Sequence, residues 1–203
     1  MKTSGTMTDD FIHVVRAYFT ANPYSDDHSR EAVIYAYDGA SEHRTFMTDS
    51  EEHKDIALWM DNHGQAEIVH ICIDGGIVEY GNAYYQGDRK VHERCDCMVF
   101  SDTRLQFVEF KMNATSTQDK SVWHNCSDAM RAIRDFVTYF YKVFEEHGDS
   151  FWSYYPVPTA SAIVCIKQSP SMAPKRNSQR LTEKDKFTAV TNLKVEFASQ
   201  CEF

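Results

Sequence analysis

The chain of 203 residues reads as an α/β protein in which helices flank a mixed central sheet. Three observations predict this class. Val122 to His147 carries apolar side chains at positions 126, 130, 133, 137, 140 and 144, three or four apart, with Gly148 where a C-terminal cap belongs, so it reads as a long amphipathic helix. β-rich runs come in pairs around turn residues, one pair about Asp74-Gly75-Gly76 and another within "RCDCMVFSDTRLQFVEFK", Arg94 to Lys111. Beyond the helix, "SAIVCIK" is a compact apolar run bounded by polar residues, the pattern of a buried strand.

Taken in order, "TDDFIHVVRAYFTANP" predicts a first helix, capped by Thr8 or Asp9, with Phe11, Val14, Val15, Tyr18 and Phe19 on one face and Pro23 past its end. It belongs to an N-terminal helical extension over residues 1–50, within which "EAVIYAYDGA" can form a short strand. Ser50, followed by Glu51 and Glu52, predicts a capped helix through "HKDIALWMDNHG" that ends at Gly64. The two hairpins follow, then a polar loop "NATSTQDK", the long helix and the buried strand. Residues 51–167 thus make a core. Residues 168–203, a loop with two prolines leading to a last short helix or strand, make a basic tail packed on or beside it. All of this fits one domain, since single cores commonly occupy about 100 to 200 residues.

The composition, 42% hydrophobic and 25% charged, lies far from the low hydrophobicity and charge blocks of disordered chains. "MKTSGTMTDDFIHVV" lacks the basic and continuous apolar regions of a signal peptide, and no run approaches the roughly 20 apolar residues of a membrane span, so a cytoplasmic protein without a membrane partner is expected. Six cysteines lie far apart and mostly inside apolar runs, which suits reduced core residues. A net charge of -9 argues against unspecific electrostatic binding to nucleic acid. The balance is uneven: Met1 to Cys165 holds 14 basic and 26 acidic residues, whereas Ile166 to Phe203 holds 7 and 4, so a polyanion would prefer the C-terminal part.

The second hairpin carries charges on runs otherwise built for burial. Strand alternation puts Arg94, Asp96, Met98 and Phe100 on one face, and Leu105, Phe107, Glu109 and Lys111 on one face of the next strand. Whether the loop is Ser101 to Arg104 or only Asp102-Thr103 at its tip, paired positions sum to 205, and Asp96 opposes Glu109. Like charges directly opposite, with Cβ atoms about 4.5 to 5.5 Å apart, are destabilising. A hard divalent cation offsets them by taking carboxylate oxygens. A metal held by Asp96 and Glu109 can activate a water and polarise a phosphoryl oxygen, while Lys111 can orient that water, help deprotonate it or stabilise developing negative charge. That chemistry is phosphodiester hydrolysis. In the same register Arg94 opposes Lys111, so four charges can also form diagonal pairs without a metal, each worth little.

"CDCMVF" followed by "LQFVEFK" resembles the core signature of PD-(D/E)xK nucleases, the restriction-endonuclease-like fold, with Asp96 as the motif Asp and Glu109-Phe110-Lys111 as Glu-x-Lys. The family's order of helix, three strands, helix and strand, αβββαβ, can be laid over Glu51 to Lys167. The resemblance implies that Asp96 and Glu109 ligate Mg²⁺ or Mn²⁺, that the Phe110 carbonyl completes the site and that Lys111 acts on the water. It also implies a nucleic-acid partner, DNA before RNA, a role in defence or mobile-element processing, and room for a homodimer or a protein partner. The alternative is an inactive domain of this fold serving as a binding or assembly module; a third reading is a metal-free interaction protein. No Pro precedes Asp96, the further acid of many members is open among Glu51, Glu52, Glu67 and Glu79, and the long helix lacks their Gln-containing motif.

On the long helix Arg131, Arg134, Thr138 and Lys142 form a stripe that can meet phosphates, diluted by Asp135. In the tail Lys175, Arg176, Arg180, Lys184 and Lys186 form a basic cluster that can clamp nucleic acid. A zinc set of His92, Cys95, Cys97, His124 and Cys126 lacks regular ligand spacing and is disfavoured against buried core cysteines.

Overall fold

The computed structural model describes residues 6–19, 26–39, 42, 44–73, 85–86, 89–90, 94–112, 120–147, 149–167 and 178–203. Helix α1 spans Met7–Phe19 and is followed by β1 (Asp26–Ser29), β2 (Val33–Gly39) and β3 (Arg44–Thr48). A 3-10 turn at Glu51–Ile56 leads into β4 (Ala57–Asp61) and β5 (Ile68–Cys72). Two short strands, β6 (Tyr85–Gln86) and β7 (Arg89–Lys90), precede β8 (Cys97–Phe100) and β9 (Arg104–Phe110). Then come α2 (Lys120–His147), α3 (Asp149–Tyr154), β10 (Thr159–Cys165), α4 (Ser178–Thr191), β11 (Lys194–Ala198) and β12 (Gln200–Glu202).

Six strands form one mixed sheet in the order β1-β5-β8-β9-β10-β11. The first four run antiparallel to their neighbours, while β10 and β11 join parallel to β9. The long α2 makes the crossover between β9 and β10 that a parallel pair requires. A second sheet has the order β12-β4-β2-β3. Side-chain alternation divides the core in two. Met98, Phe100, Leu105, Phe107, Ala162 and Val164 face the helices, against Phe11 of α1 and Ile133, Phe136, Val137 and Phe140 of α2. Cys97, Val99, Val108, Phe110 and Ile163 face the second sheet, against Ile34, Ala36, Leu58 and Met60. The molecule is therefore a three-layer stack, helices on one face of the six-stranded sheet and a smaller sheet on the other, which is why β5, β8 and most of β9 are buried on both faces.

Three local expectations are corrected. Thr6, not Thr8 or Asp9, begins α1: its hydroxyl accepts the Asp9 N–H at 3.2 Å and the Asp9 carboxylate accepts the Thr6 N–H at 3.1 Å, a reciprocal cap. The helix is no appendage, since the Phe11 ring stacks on Phe100 of β8 at 3.9 Å. Residues 26–48, placed in a helical extension with one short strand in "EAVIYAYDGA", supply three strands: β2 is the expected one, and β1 and β3 were not foreseen. Finally, the helix expected from Ser50 to Gly64 stops after one 3-10 segment, although Ser50 does cap it by accepting the Glu52 N–H. "ALWMD" then alternates, Leu58 and Met60 inward and Trp59 outward, and pairs with β2 as a strand. The second strand of the hairpin expected about Asp74-Gly76 lies outside the described residues.

Candidate metal centre

The β8–β9 hairpin has the expected register: Cys97 pairs with Val108, Met98 with Phe107, Val99 with Gln106 and Phe100 with Leu105. The regular ladder ends at Asp96. Its N–H donates to the carbonyl of Val108 at 3.0 Å, so Asp96 and Cys97 both face Val108, which is a β-bulge. On the other side Ile73 N–H donates to the Asp96 carbonyl at 2.9 Å, which keeps β5 in step. The bulge reverses the alternation expected for "RCDC": Cys95 joins the helix-side core with Met98 and Phe100, while Cys97 lies between the sheets. Asp96 does not simply face Glu109 across the ladder. Its Oδ2 instead accepts the N–H of Phe110 at 2.5 Å, capping the end of β9.

Glu109 is buried at 6% exposure, and Lys111 Nζ donates to its Oε1 at 2.6 Å. The Lys111 main-chain N–H is fixed to the Cys165 carbonyl at 2.7 Å, so this end of β9 is held by its neighbours on both sides. Burial alone would lower the pKa of the Lys111 ammonium. The charge and hydrogen bond of Glu109 outweigh that, and Asp96 and Asp128 add to them, so the ammonium is held above its ordinary value. The field of three acids therefore acts on one cation. Within the chain, an ammonium answers the Glu109 charge and a backbone N–H answers Asp96.

These donors suit a hard divalent ion: two carboxylates and a nearby main-chain carbonyl offer oxygen only, and a cation already sits against one of them. They are few. Among the described residues no group of three or more His, Cys, Asp and Glu is placed to hold a metal. Asp96, Glu109, Phe110 and Lys111 lie together at one end of the six-stranded sheet. Asp128, in the early turns of α2, is the acid that sequence reasoning missed; its signal was its place in the helix that follows Glu-x-Lys. It binds Arg131 Nη2 at 3.1 Å and lies 3.4 Å from His124 Nε2, while Arg134 is turned onto Asp135 at 2.8 Å. Both helix arginines expected to meet phosphate are thus paired with acids. Arg180 falls in α4, and Lys175 and Arg176 lie outside the described residues.

The disfavoured zinc set does not assemble. Cys95 and Cys97 point apart, His124 is exposed and Cys126 is buried against the sheet, while His92 lies outside the described residues. Burial pushes the Cys97 and Cys165 thiols well up, the state of inert core residues. A buried polar chain, also unforeseen, runs beneath the bulge. Fully buried His70 lies 3.3 Å from Asp27 through Nδ1 and 3.0 Å from the Thr45 hydroxyl through Nε2, and that hydroxyl lies 3.5 Å from the Asp96 carbonyl. A cleft of about 540 Å³ lined by His28, Arg30, Asp49 and Glu67 sits at the opposite end of β5 from Cys72, far from Asp96. No helix among the described residues is long and apolar enough to cross a membrane. Comparison with protein-family models, curated proteins and solved structures gives no match to this chain.

Proposed function

We propose that the protein is a metal-dependent nuclease of the PD-(D/E)xK type, hydrolysing phosphodiester bonds in DNA in preference to RNA. The carrying observation is the buried Glu109–Lys111 contact at the end of β9, beside the bulge at Asp96. Topology supports the reading. β5, β8 and β9 form an antiparallel meander, α2 crosses over, and β10 returns parallel to β9, the order of strands and helix that the resemblance implies. The preceding core helix is then α1, rather than a helix at 51–64, and β1 to β4 are an insertion between that helix and the meander.

Asp96, Glu109 and the Phe110 carbonyl are the groups that would hold Mg²⁺ or Mn²⁺. A bound ion would supply Lewis acidity and a more acidic water. Glu109, buried and acceptor-only when ionised, anchors the ion side of the site. Lys111, tethered by its main chain to β10, can swing its ammonium within reach of a phosphoryl oxygen or its attacking water. Mn²⁺-dependent cleavage of single- and double-stranded DNA and RNA, measured for wild type and Glu109→Gln, tests the reading. We expect the variant to lose at least about a hundredfold in rate, the scale of removing a charge-stabilising group from an active site. Cleavage that survives Glu109→Gln intact would place the reaction elsewhere.

One observation favours the alternative of an inactive binding or assembly module. Asp96 and Glu109 each have a partner within the chain, and Arg131 and Arg134 are engaged by acids. That reading predicts no Mn²⁺ binding at millimolar concentration.

A further inference from the structure

The smaller sheet has a second face, turned away from the six-stranded sheet. Alternation along β4 sends Leu58 and Met60 into the core between the sheets and leaves Trp59 and Asp61 outward. Trp59 is 39% exposed, while Tyr35, its partner across the ladder to β2 and 6.0 Å away ring to ring, is buried. Other rings of this face already carry a basic group: Arg44 lies over Phe46 at 4.3 Å, and His53 stacks on Tyr37 at 4.1 Å. An open indole beside them is the best of the aromatic surfaces for a cation. On the other flank of β4, β12 runs parallel to it, with Gln200 opposite Trp59 and Glu202 opposite Asp61. Cys201 packs into the core between the sheets, so Gln200 and Glu202 share the outward face, and the Gln200 amide donates to the Asp61 carboxylate at 3.2 Å. Two carboxylates thus stand on paired positions about 6.6 Å along the strands from the row of the indole, an arrangement that mutual repulsion disfavours and a cation relieves.

The 3-10 turn that precedes β4 adds to this charge. Its ammonium, that of Lys54, is already matched by Glu51 at 2.8 Å, while Glu52 and Asp55 are exposed and Ile56, next to β4, is 45% exposed. The surface is therefore apolar at its centre and acidic at its rim, which repels phosphate and complements a basic chain. Of the two basic side chains arginine fits better. Its guanidinium is planar and weakly hydrated, stacks on an aromatic face and still presents N–H donors at its edge, whereas an ammonium is a strongly hydrated point charge. We propose that the outer face of the smaller sheet docks an arginine-bearing segment of a partner protein, with a guanidinium lying on Trp59 and its N–H edge turned to Asp61 and Glu202. This surface does not depend on the metal-site reading.

The experiment is titration calorimetry of the full chain with a blocked peptide of alternating threonine and arginine, whose extended form sets its arginines on one side, against its lysine counterpart and against oligothymidylate. Wild type is compared with Trp59→Ala, Trp59→Leu and Glu202→Gln, each confirmed as folded by circular dichroism. Trp59→Leu keeps apolar bulk on the strand, so it answers the question should the alanine variant fail to fold. The arginine peptide is expected to bind wild type more tightly than the lysine peptide, and loss of the indole is expected to weaken it about tenfold, the scale of a partly desolvated cation–π contact. Glu202→Gln is expected to weaken it about threefold and to lessen its salt dependence, as the loss of a rim charge does. Both Trp59 variants keep the net charge, so unspecific attraction to an acidic protein would leave them equal to wild type, and that equality overturns the assignment to this face. Absence of binding to wild type at millimolar peptide overturns the docking surface itself. Equal affinity for the lysine peptide overturns the choice of arginine, and an unaltered Glu202→Gln overturns the part given to the carboxylates. Oligothymidylate that binds more tightly than the peptide, and through Trp59, gives the face to nucleic acid and overturns the protein partner.

Discussion

Lys111 shows why a strand that is apolar for most of its length ends in charges. Glu109 shares the helix-facing side of β9 with Leu105 and Phe107, where an isolated carboxylate would be costly to bury, and the ammonium two residues on offsets that cost. Because Glu109 and the other acids raise the folded-state value of Lys111, its contribution to stability is fully present below the ordinary lysine value, near about 10.4. It is lost as pH rises through the higher folded value. Chemical denaturation of wild type between pH 8 and 11 should therefore show a stability decline at the alkaline end that Lys111→Met lacks, and equal slopes would remove the ion pair from the account. The identity of Asp96, Glu109 and Lys111 as a charged group was legible in their spacing. Asp128 was not, because the electrostatic influence of a helix side chain on the end of a strand depends on how the connecting chain returns.

Among the elements, the β8–β9 hairpin was the most legible, since both loop lengths that the turn residues allowed led to the same register. The bulge was hidden: "CDC" alternates as any regular strand would, and only the second hydrogen bond onto the Val108 carbonyl reveals the extra residue. Helix α1 was seen but misplaced. Its Phe11 meets Phe100, Phe140, Phe144 and Phe151, which makes it part of the central aromatic cluster. Phe11→Ala should accordingly cost about 3 to 5 kcal/mol in urea unfolding, the range for a fully buried aromatic ring. A loss below about 1 kcal/mol would return α1 to the status of an appendage. Residues 57–61 misled because "ALWM" satisfies a helical face as readily as an alternating one, and pairing with β2 decides between them.

For the whole molecule, the six-stranded sheet is common to both cores. Leu58 of the smaller sheet packs among the residues facing Val99, Val108 and Ile163, and β12 pairs with β4 directly after β11 has paired with β10. Two adjacent strands of one chain segment thus stitch the two sheets together, and the basic tail expected at 168–203 is in part a structural seam. Leu58→Ala should lower stability by about 2 to 5 kcal/mol and shift fluorescence and circular dichroism transitions together. A separate early transition confined to the smaller sheet would show that the layers unfold independently.

Periodicity and turn chemistry, which act over a few residues, determined the α/β class, the long helix α2, the buried strand β10 and the 205 register of the charged hairpin. They did not determine which sheet each strand enters. Residues 33–61 and 200–202 leave the main sheet to build a second one, and that choice depends on burying Ile34, Leu58 and Met60 against a face of β8, β9 and β10 that local pattern does not display. Nor did they determine what neutralises Glu109. Alternation brought Asp96, Glu109 and Lys111 to the same end of a hairpin, but the bulge turned Asp96 onto the Phe110 N–H and left Lys111 on Glu109. Hydrogen bonds and ion pairs are decided by distances of a few tenths of an ångström, which only packing of the finished layers sets.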